Sequence, residues 1–363
     1  MNKTIYIQSK RFKWNKDFSS RHYFQFDKRT GKYHCCICYE KDIIDLQNHY
    51  CLMKPPKPPS QLSELEKQQK LFVYDLECYQ ELIETNLYEH KCNLVCVRSV
   101  YGNFYRQHFL NISSFIQEIL QNPIFQGATF LAHNGGSYDV HFITQYLDIN
   151  SILYTTIPRP GSPHKYLSLE IQRRDSTRKH NITFKDFIMF MPGSLKKIAE
   201  AFNCQLSKGD FPHRFNIPEH LNYIGCLPLL ESNEDYFCLA DKKDMKDVTE
   251  LRQWYIEQQQ LFCTCQNICQ CQKRKRNFQE QLLLYCWLDV DVLAEIVQKF
   301  RDSHLNFSNE IGEDLNTAWF PTSIDPFEHL TQSQVAQTFF LRGHLNSKLP
   351  AIKQGGVMKV LNG

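Results

Sequence analysis

Leu71-Phe72-Val73-Tyr74-Asp75-Leu76-Glu77 is the stretch on which the fold turns: a run of apolar and aromatic residues, then an acid, a leucine and a second acid. Such a short apolar burst suits a buried strand. Side chains alternate along a strand, so Asp75 and Glu77 project from one face. Two carboxylates pointing the same way are costly unless cations or protons compensate. Hard divalent ions such as Mg2+ take oxygen ligands and retain several waters. A pair of them roughly 3.5–4 Å apart activates a water and stabilises the leaving oxygen of a phosphodiester. Taken alone, an acid pair of this spacing is more often two solvated side chains.

Downstream, strand-like and helix-like patterns alternate. Asn93 to Val100, Thr129 to Ala132 and Ile182 to Phe190 read as strands, whereas Ser113 to Leu120 and Val140 to Leu147 place apolar residues at helical spacing. Ser194 is an N-cap for the amphipathic run Leu195 to Phe202, and Phe278 to Phe300 is the longest helical pattern. A mixed α/β architecture is expected, with a helix carrying the last carboxylate.

Two further acids stand in suggestive settings. His133-Asn134-Gly135-Gly136-Ser137-Tyr138-Asp139 follows a buried strand and opens a helix. Its glycines suit close approach to a strand end or a nucleic-acid backbone, with a plain turn as the alternative. In Tyr285-Cys286-Trp287-Leu288-Asp289, hydroxyl and carboxylate are one helical turn apart and share a face. The alternative is a surface acid beside a half-buried tyrosine.

The composition fits a globular protein of two or three domains: 363 residues, 42% hydrophobic and 22% charged, with a formal net charge of +3. That balance excludes collagen-like, mucin-like and wholly disordered chains, and makes any nucleic-acid contact local. No stretch reaches the roughly 18–20 apolar residues of a membrane helix, so no membrane partner and an intracellular setting are expected. An odd count of 15 cysteines in a chain of this length points to reduced thiols and zinc before disulfides.

Together the three acidic motifs resemble, in order and context, the exonuclease motifs of proofreading family B DNA polymerases, the tyrosine-bearing branch of the DEDD exonucleases. More closely, the chain is similar to protein-primed polymerases of the Polinton (Maverick) and bacteriophage type over roughly Leu71 to Gly356. Ser194-Leu195-Lys196-Lys197-Ile198 and Lys208-Gly209-Asp210-Phe211 match two further motifs of that group, and Phe211 to Asn216 and Asp325-Pro326-Phe327 resemble phrases of the Polinton enzymes. The resemblance implies an RNase H-like α/β domain that hydrolyses single-stranded DNA from the 3′ end with two Mg2+ or Mn2+. It implies Asp75, Glu77, Asp139 and Asp289 as metal ligands and Tyr285 as the residue orienting the attacking water. Asn134 and Tyr138 would grip the frayed 3′ end, Ser194 and Leu195 would contact single-stranded DNA or a terminal priming protein, and Lys208 would assist at the phosphate. For Ser194 a helix cap, and for Lys208 a solvated lysine, are the competing readings.

The same group's D-x2-S-L-Y-P, K-x3-N-S-x-Y-G and Y-x-D-T-D patterns, which carry nucleotide binding and synthesis, do not occur. The expectation is therefore an N-terminal portion of a DNA-directed DNA polymerase, serving DNA replication through 3′–5′ proofreading and truncated before the palm. Its setting would be the nucleus or a virus-like element. Two rivals stand beside it: a freestanding exonuclease, and a non-catalytic nucleic-acid-binding remnant of a mobile element.

Three segments are expected: a basic segment over residues 1–60, closed by Lys54-Pro55-Pro56-Lys57-Pro58-Pro59-Ser60; the exonuclease over 61–305; and the start of the polymerase region over 306–363. In the first, Cys35, Cys38, His49 and Cys51 form a candidate zinc site, with His34 and Cys36 as further donors and buried reduced cysteines as the alternative. Cys263, Cys265, Cys269 and Cys271 form a second cluster, directly before Lys273-Arg274-Lys275-Arg276, with spacings less usual for structural zinc. It reads as a lineage-specific insertion. The basic tetrad, like Arg173, Arg174, Arg178 and Lys179, reads first as solvated charge.

Overall fold

The computed structural model describes residues 4–6, 23–27, 31–35, 52–53, 63–84, 87–172, 180–206, 209–242, 245–265, 272–314, 324–343 and 349–350. They fall into two compact units, one within Met1–Ser60, Asn306–Ile324 and Ser333–Gly363, the other within Gln61–Leu305 and Asp325–Gln332. In the first unit, β1 (Thr4–Tyr6), β2 (Tyr23–Asp27) and β3 (Lys32–Cys35) form an antiparallel sheet, and β4 (Leu52–Met53) pairs with a strand at Leu349–Pro350.

The second unit begins with α1 (Glu64–Gln69), where Ser63 and Glu66 form a reciprocal capping box. A seven-stranded mixed sheet follows, from β5 (Leu71–Glu84), β6 (Leu87–Ser99), β7 (Arg106–Phe109), β8 (Thr129–Ala132), β9 (Tyr154–Arg159), β10 (Ser162–Ile171) and β11 (Ile182–Asp186), in the order β7-β6-β5-β8-β11-β10-β9. The central strands β5, β8 and β11 are parallel, flanked by the antiparallel pairings of β6 with β7 and of β9 with β10. The fold is thus mixed α/β. Thr129–Ala132 coincides with its sequence reading. β11 stops at Asp186, earlier than the pattern suggested, because Phe187–Met189 turns into a 3-10 segment capped by the Asp186 side chain.

One face of the sheet is covered by α2 (Ile112–Gln121) and α3 (Asp139–Ile149). Phe115, Ile116 and Ile119 from α2 and Val140, Ile143 and Leu147 from α3 bury against Phe72, Tyr74, Phe130 and Phe184. Aromatic rings dominate this core; Phe130 stacks on both Phe72 and Phe184 at 5.3 and 5.0 Å. After α4 (Leu195–Ala201) and α5 (Met245–Leu261), α6 (Phe278–Asp314) approaches the other face. There Asp291 accepts from Arg98 and Arg106 of β6 and β7 at 2.6 and 2.5 Å, and the Arg106 guanidinium lies 3.8 Å over the Trp287 ring.

Farther along α6, the almost fully buried Arg301 donates to Asp325 at 2.9 and 2.7 Å and to Glu64 at 2.5 and 3.1 Å. Asp325 also caps the Phe327 amide at 3.0 Å. This gives the Asp325-Pro326-Phe327 phrase a structural role, as an anchor between α1, α6 and the segment after it.

Between Asn216 and α6 the chain builds a satellite core from Leu227, Leu230, Phe237, Leu251, Tyr255 and Phe262. Its ends meet: Ile224-Gly225 pairs with Arg276-Asn277, and the Phe278 amide donates to the Tyr223 carbonyl at 3.0 Å. Among the described residues no helix is long and apolar enough to cross a membrane.

Candidate functional site

β5 carries the acid pair past the parallel part of the sheet. Its pairing with β8 ends at Val73 opposite Leu131, whereas its ladder with β6 continues through Asp75 opposite Cys96 and Glu77 opposite Leu94. Both acids are half-buried and alternate with the buried Tyr74 and Leu76, so they face α6. Carboxylate oxygens of Asp75 and Glu77 and the Sγ of Cys286 lie within 4.8 Å of one another. The Cys286 thiol donates to the Asp75 carbonyl at 3.7 Å. Burial, and then contact with the Cys96 thiol, pushes its pKa well above the ordinary range, so it stands beside the acids as a neutral group.

Tyr285 and Asp289 bring the third motif to the same place. Tyr285 is buried, stacks on Phe211 with centroids 4.9 Å apart and planes 25° apart, and meets the His213 ring edge-on at 5.3 Å. Its hydroxyl hydrogen-bonds Asp289 one helical turn on. Burial, then the charges of Asp289, Glu77 and Asp75, hold the phenol protonated far above its usual pKa. The Lys208-Gly209-Asp210-Phe211 phrase thus contributes its aromatic end to the site. Lys208 itself lies outside the described residues.

Asn134 to Asp139 forms a tight turn between β8 and α3. Asn134 takes a left-handed conformation with φ of 64°, one that asparagine adopts more readily than most residues. Gly136 is held so closely that a Cβ there would stand 2.0 Å from the Tyr166 carbonyl oxygen. The strut of this turn is Asp186, which the sequence did not single out. Its buried carboxylate accepts the amide of Ile188 at 3.2 Å and those of Gly136 and Asn134. Burial outweighs these contacts and raises its pKa to about 6.

Asp139, the first residue of α3, is 6% exposed, and its Oδ1 is buried without a hydrogen-bond partner. Burial, with the Asp186 charge as a smaller cause, raises its pKa to about 7. Its electrostatic neighbours are Asp186, Tyr74, Cys78 and Tyr138, whereas those of Tyr285 are Asp289, Glu77 and Asp75. Tyr74 feels Asp139, Asp186 and Asp75 alike and so stands between the two groups. The structure therefore gathers Asp75, Glu77, Tyr285 and Asp289 closely, and seats Asp139 in an adjoining buried acid pair.

Tyr138 is exposed, with its hydroxyl 2.6 Å from His90 Nδ1 on β6, and Asn134 is exposed beside it. Ser194 caps α4 by accepting the Lys197 amide at 3.4 Å, and Leu195 is buried. Cys35 ends β3, while Cys38, His49, Cys51, Cys269 and Cys271 lie outside the described residues, as do 173–179. Asp75 with Glu77 and Cys286 is the candidate metal-holding cluster among the described residues. Cys286 is a missed neighbour: in sequence it occupies an ordinary core position of a helix.

Residues 124–356 match the family described as DNA polymerase type B, organellar and viral. A probable DNA polymerase of Agaricus bitorquis is 38% identical over 112 residues, 28% of this chain and 12% of the relative. One of Neurospora intermedia is 28% identical over 219 residues, 56% of this chain and 20% of the relative. The chain thus spans between 12% and 20% of the length of these relatives. Among solved structures, Phi29 DNA polymerase with primer-template DNA and incoming nucleotide aligns over 68% of this chain and 35% of that one, with TM-score 0.42 and 14% identity. The same polymerase with single-stranded DNA aligns over 53% and 32%, with TM-score 0.36 and 17% identity.

Proposed function

The chain belongs to the organellar and viral type B DNA polymerases, and on that premise we propose that it bears their 3′–5′ exonuclease, an RNase H-like DEDD domain that removes nucleoside 5′-monophosphates from a single-stranded DNA 3′ end. The observation that carries this reading is the pair Asp75 and Glu77 set against Tyr285 and Asp289 of α6. The donor set fits hard divalent cations: carboxylate oxygens at the open end of a sheet, and a buried Asp139 Oδ1 with no hydrogen bond to give up. Asp75, Glu77 and Asp289 would hold Mg2+ or Mn2+, with Asp139 as the fourth acid. Such ions, when bound, supply positive charge at the scissile phosphate and a water of lowered pKa.

The remaining work belongs to the protein. Tyr285, protonated and fixed by Phe211 and Asp289, orients a water by hydrogen bonding without taking its proton. Tyr138 and Asn134, exposed on the turn before α3, offer a ring and an amide to the terminal nucleotide, contacts that tolerate any base. Ser194 presents its hydroxyl at the head of α4 while Leu195 fixes that helix in the core. In the intact polymerase, which we take to be protein-primed, the activity would proofread newly made ends.

The test is stepwise digestion of a 5′-labelled single strand with Mg2+ or Mn2+. The wild-type chain is expected to release mononucleotides and Asp75→Ala/Glu77→Ala to release none while remaining folded. A folded wild-type chain that releases nothing overturns the reading.

A further inference from the structure

The β5–β6 ladder outruns the sheet around it. β6 pairs with β7 from Val95 to Arg98, whereas β5 and β6 stay paired from Cys78 opposite Cys92 to Glu84 opposite Leu87. A register shift between Glu77 and Cys78 sets off this two-stranded overhang. Cys78 and Gln80 on β5, with their cross-strand partners Cys92 and His90 on β6, share one face of it. Tyr138, at the head of α3, meets that face.

The contacts there form a chain with one direction. The Gln80 amide nitrogen donates to His90 Nε2 at 3.0 Å. A neutral imidazole that accepts at Nε2 carries its proton on Nδ1, so Nδ1 donates to the Tyr138 oxygen at 2.6 Å. The Tyr138 hydroxyl donates in turn to the Cys78 sulfur, Cys78 to Cys92, and Cys92 to the Leu94 carbonyl at 3.6 Å. The hydroxyl is thus held from two strands at once. The ring itself stands edge-on to His90 at 5.7 Å and to Phe142 at 5.2 Å, yet Tyr138 is exposed. An exposed ring held in this way has lost its freedom to swing before any ligand arrives, and such preorganisation lowers the cost of binding.

We propose that His90 is a positioning residue for Tyr138, and that the β5–β6 overhang is part of the surface that receives the 3′-terminal nucleotide. The proposal rests on the exonuclease reading, in which the Tyr138 ring meets that nucleotide. His90 fixes the ring through its hydroxyl, so stacking on any base requires no further ordering of the side chain.

Two single strands, titrated without divalent ions, test this. One carries 5′ fluorescein and reports affinity by anisotropy; the other ends in 3′ 2-aminopurine and reports stacking by quenching of that base. His90→Ala is expected to weaken binding about 3- to 10-fold and to lessen the quenching of the bound probe, with the Tm unchanged. His90→Gln, which keeps an amide N–H for the Tyr138 oxygen, is expected to restore part of the quenching. Tyr138→Phe removes the other end of the same bond, so His90→Ala/Tyr138→Phe should bind no more weakly than the weaker single variant. Wild-type affinity and quenching in His90→Ala overturn the proposal, as do additive losses in the double variant. Tyr138→Ala tells the two readings apart: if it binds and quenches as the wild type does, the ring does not meet the nucleotide and the proposal falls with that reading. If Tyr138→Ala alone loses quenching and His90→Ala does not, only the role of His90 is overturned.

Discussion

Tyr285 lies flat against Phe211, ring on ring at 4.9 Å, while its hydroxyl is bonded to Asp289 on its own helix. The aromatic contact fixes where the ring sits and the hydrogen bond fixes where the hydroxyl points. Tyr285→Phe keeps the stack and loses the hydroxyl, so exonuclease turnover is expected to fall about 10- to 100-fold with stability changed by about 1 kcal/mol. Phe211→Ala frees the ring and is expected to slow turnover comparably while costing about 3–5 kcal/mol. Digestion rates set beside urea midpoints decide it; full activity in Tyr285→Phe removes the tyrosine from the reaction.

The amides of Ile188, Gly136 and Asn134 converge on Asp186. Asp186→Ala orphans them, at a cost on the order of 2–4 kcal/mol. Because Asn134 and Tyr138 ride on the same turn, affinity for a single-stranded oligonucleotide should weaken along with stability. Fluorescence anisotropy in the absence of divalent ions reads this out, and unaltered affinity would separate the turn from DNA binding. Gly136→Ala, driven into the Tyr166 carbonyl, should be worse tolerated than Gly161→Ala, where a φ of +74° strains the backbone but a Cβ meets nothing within 4 Å.

The buried acids impose a pH dependence. A carboxyl whose pKa is higher folded than its unfolded value of about 3.9 binds more protons folded than unfolded between the two. Its stabilisation is complete below the lower value and is lost as pH rises through about 6 for Asp186 and about 7 for Asp139. Without divalent ions, the Tm should therefore decline from pH 5 to pH 8, with a shallower decline in Asp139→Asn. Calorimetry across that range checks it, and the same slope in both proteins would remove Asp139 as its source.

Arg301 satisfies Asp325 and Glu64 together from a nearly water-free position. Arg301→Met strands the buried Asp325 carboxylate and is expected to cost about 3–5 kcal/mol. Arg301→Met/Asp325→Leu should recover much of the loss. A double-mutant cycle on denaturation midpoints measures the coupling, and additive losses would mean that the pair is not a unit.

Local pattern made the central strands, the Ser194 cap and the helix bearing Tyr285 and Asp289 legible, because burial of one face leaves a period in the sequence. It concealed Asp186, which looks like the polar end of an amphipathic strand until the turn 50 residues earlier folds onto it. Cys286 was hidden for the opposite reason, since a thiol in a helical core position reads as packing. The division of the acids was also out of reach: spacing says that Asp139 opens a helix, but not that burial beside Asp186 surrounds it with neighbours other than those of Tyr285.

The satellite core leaves the main chain at Gly225 and rejoins it at Arg276, two residues that face each other across a ladder. A segment whose two ends touch can be lengthened, shortened or exchanged without moving what lies on either side. Length changes inside this lobe can therefore be absorbed between Gly225 and Arg276, while Phe211 before it and Tyr285 after it remain stacked.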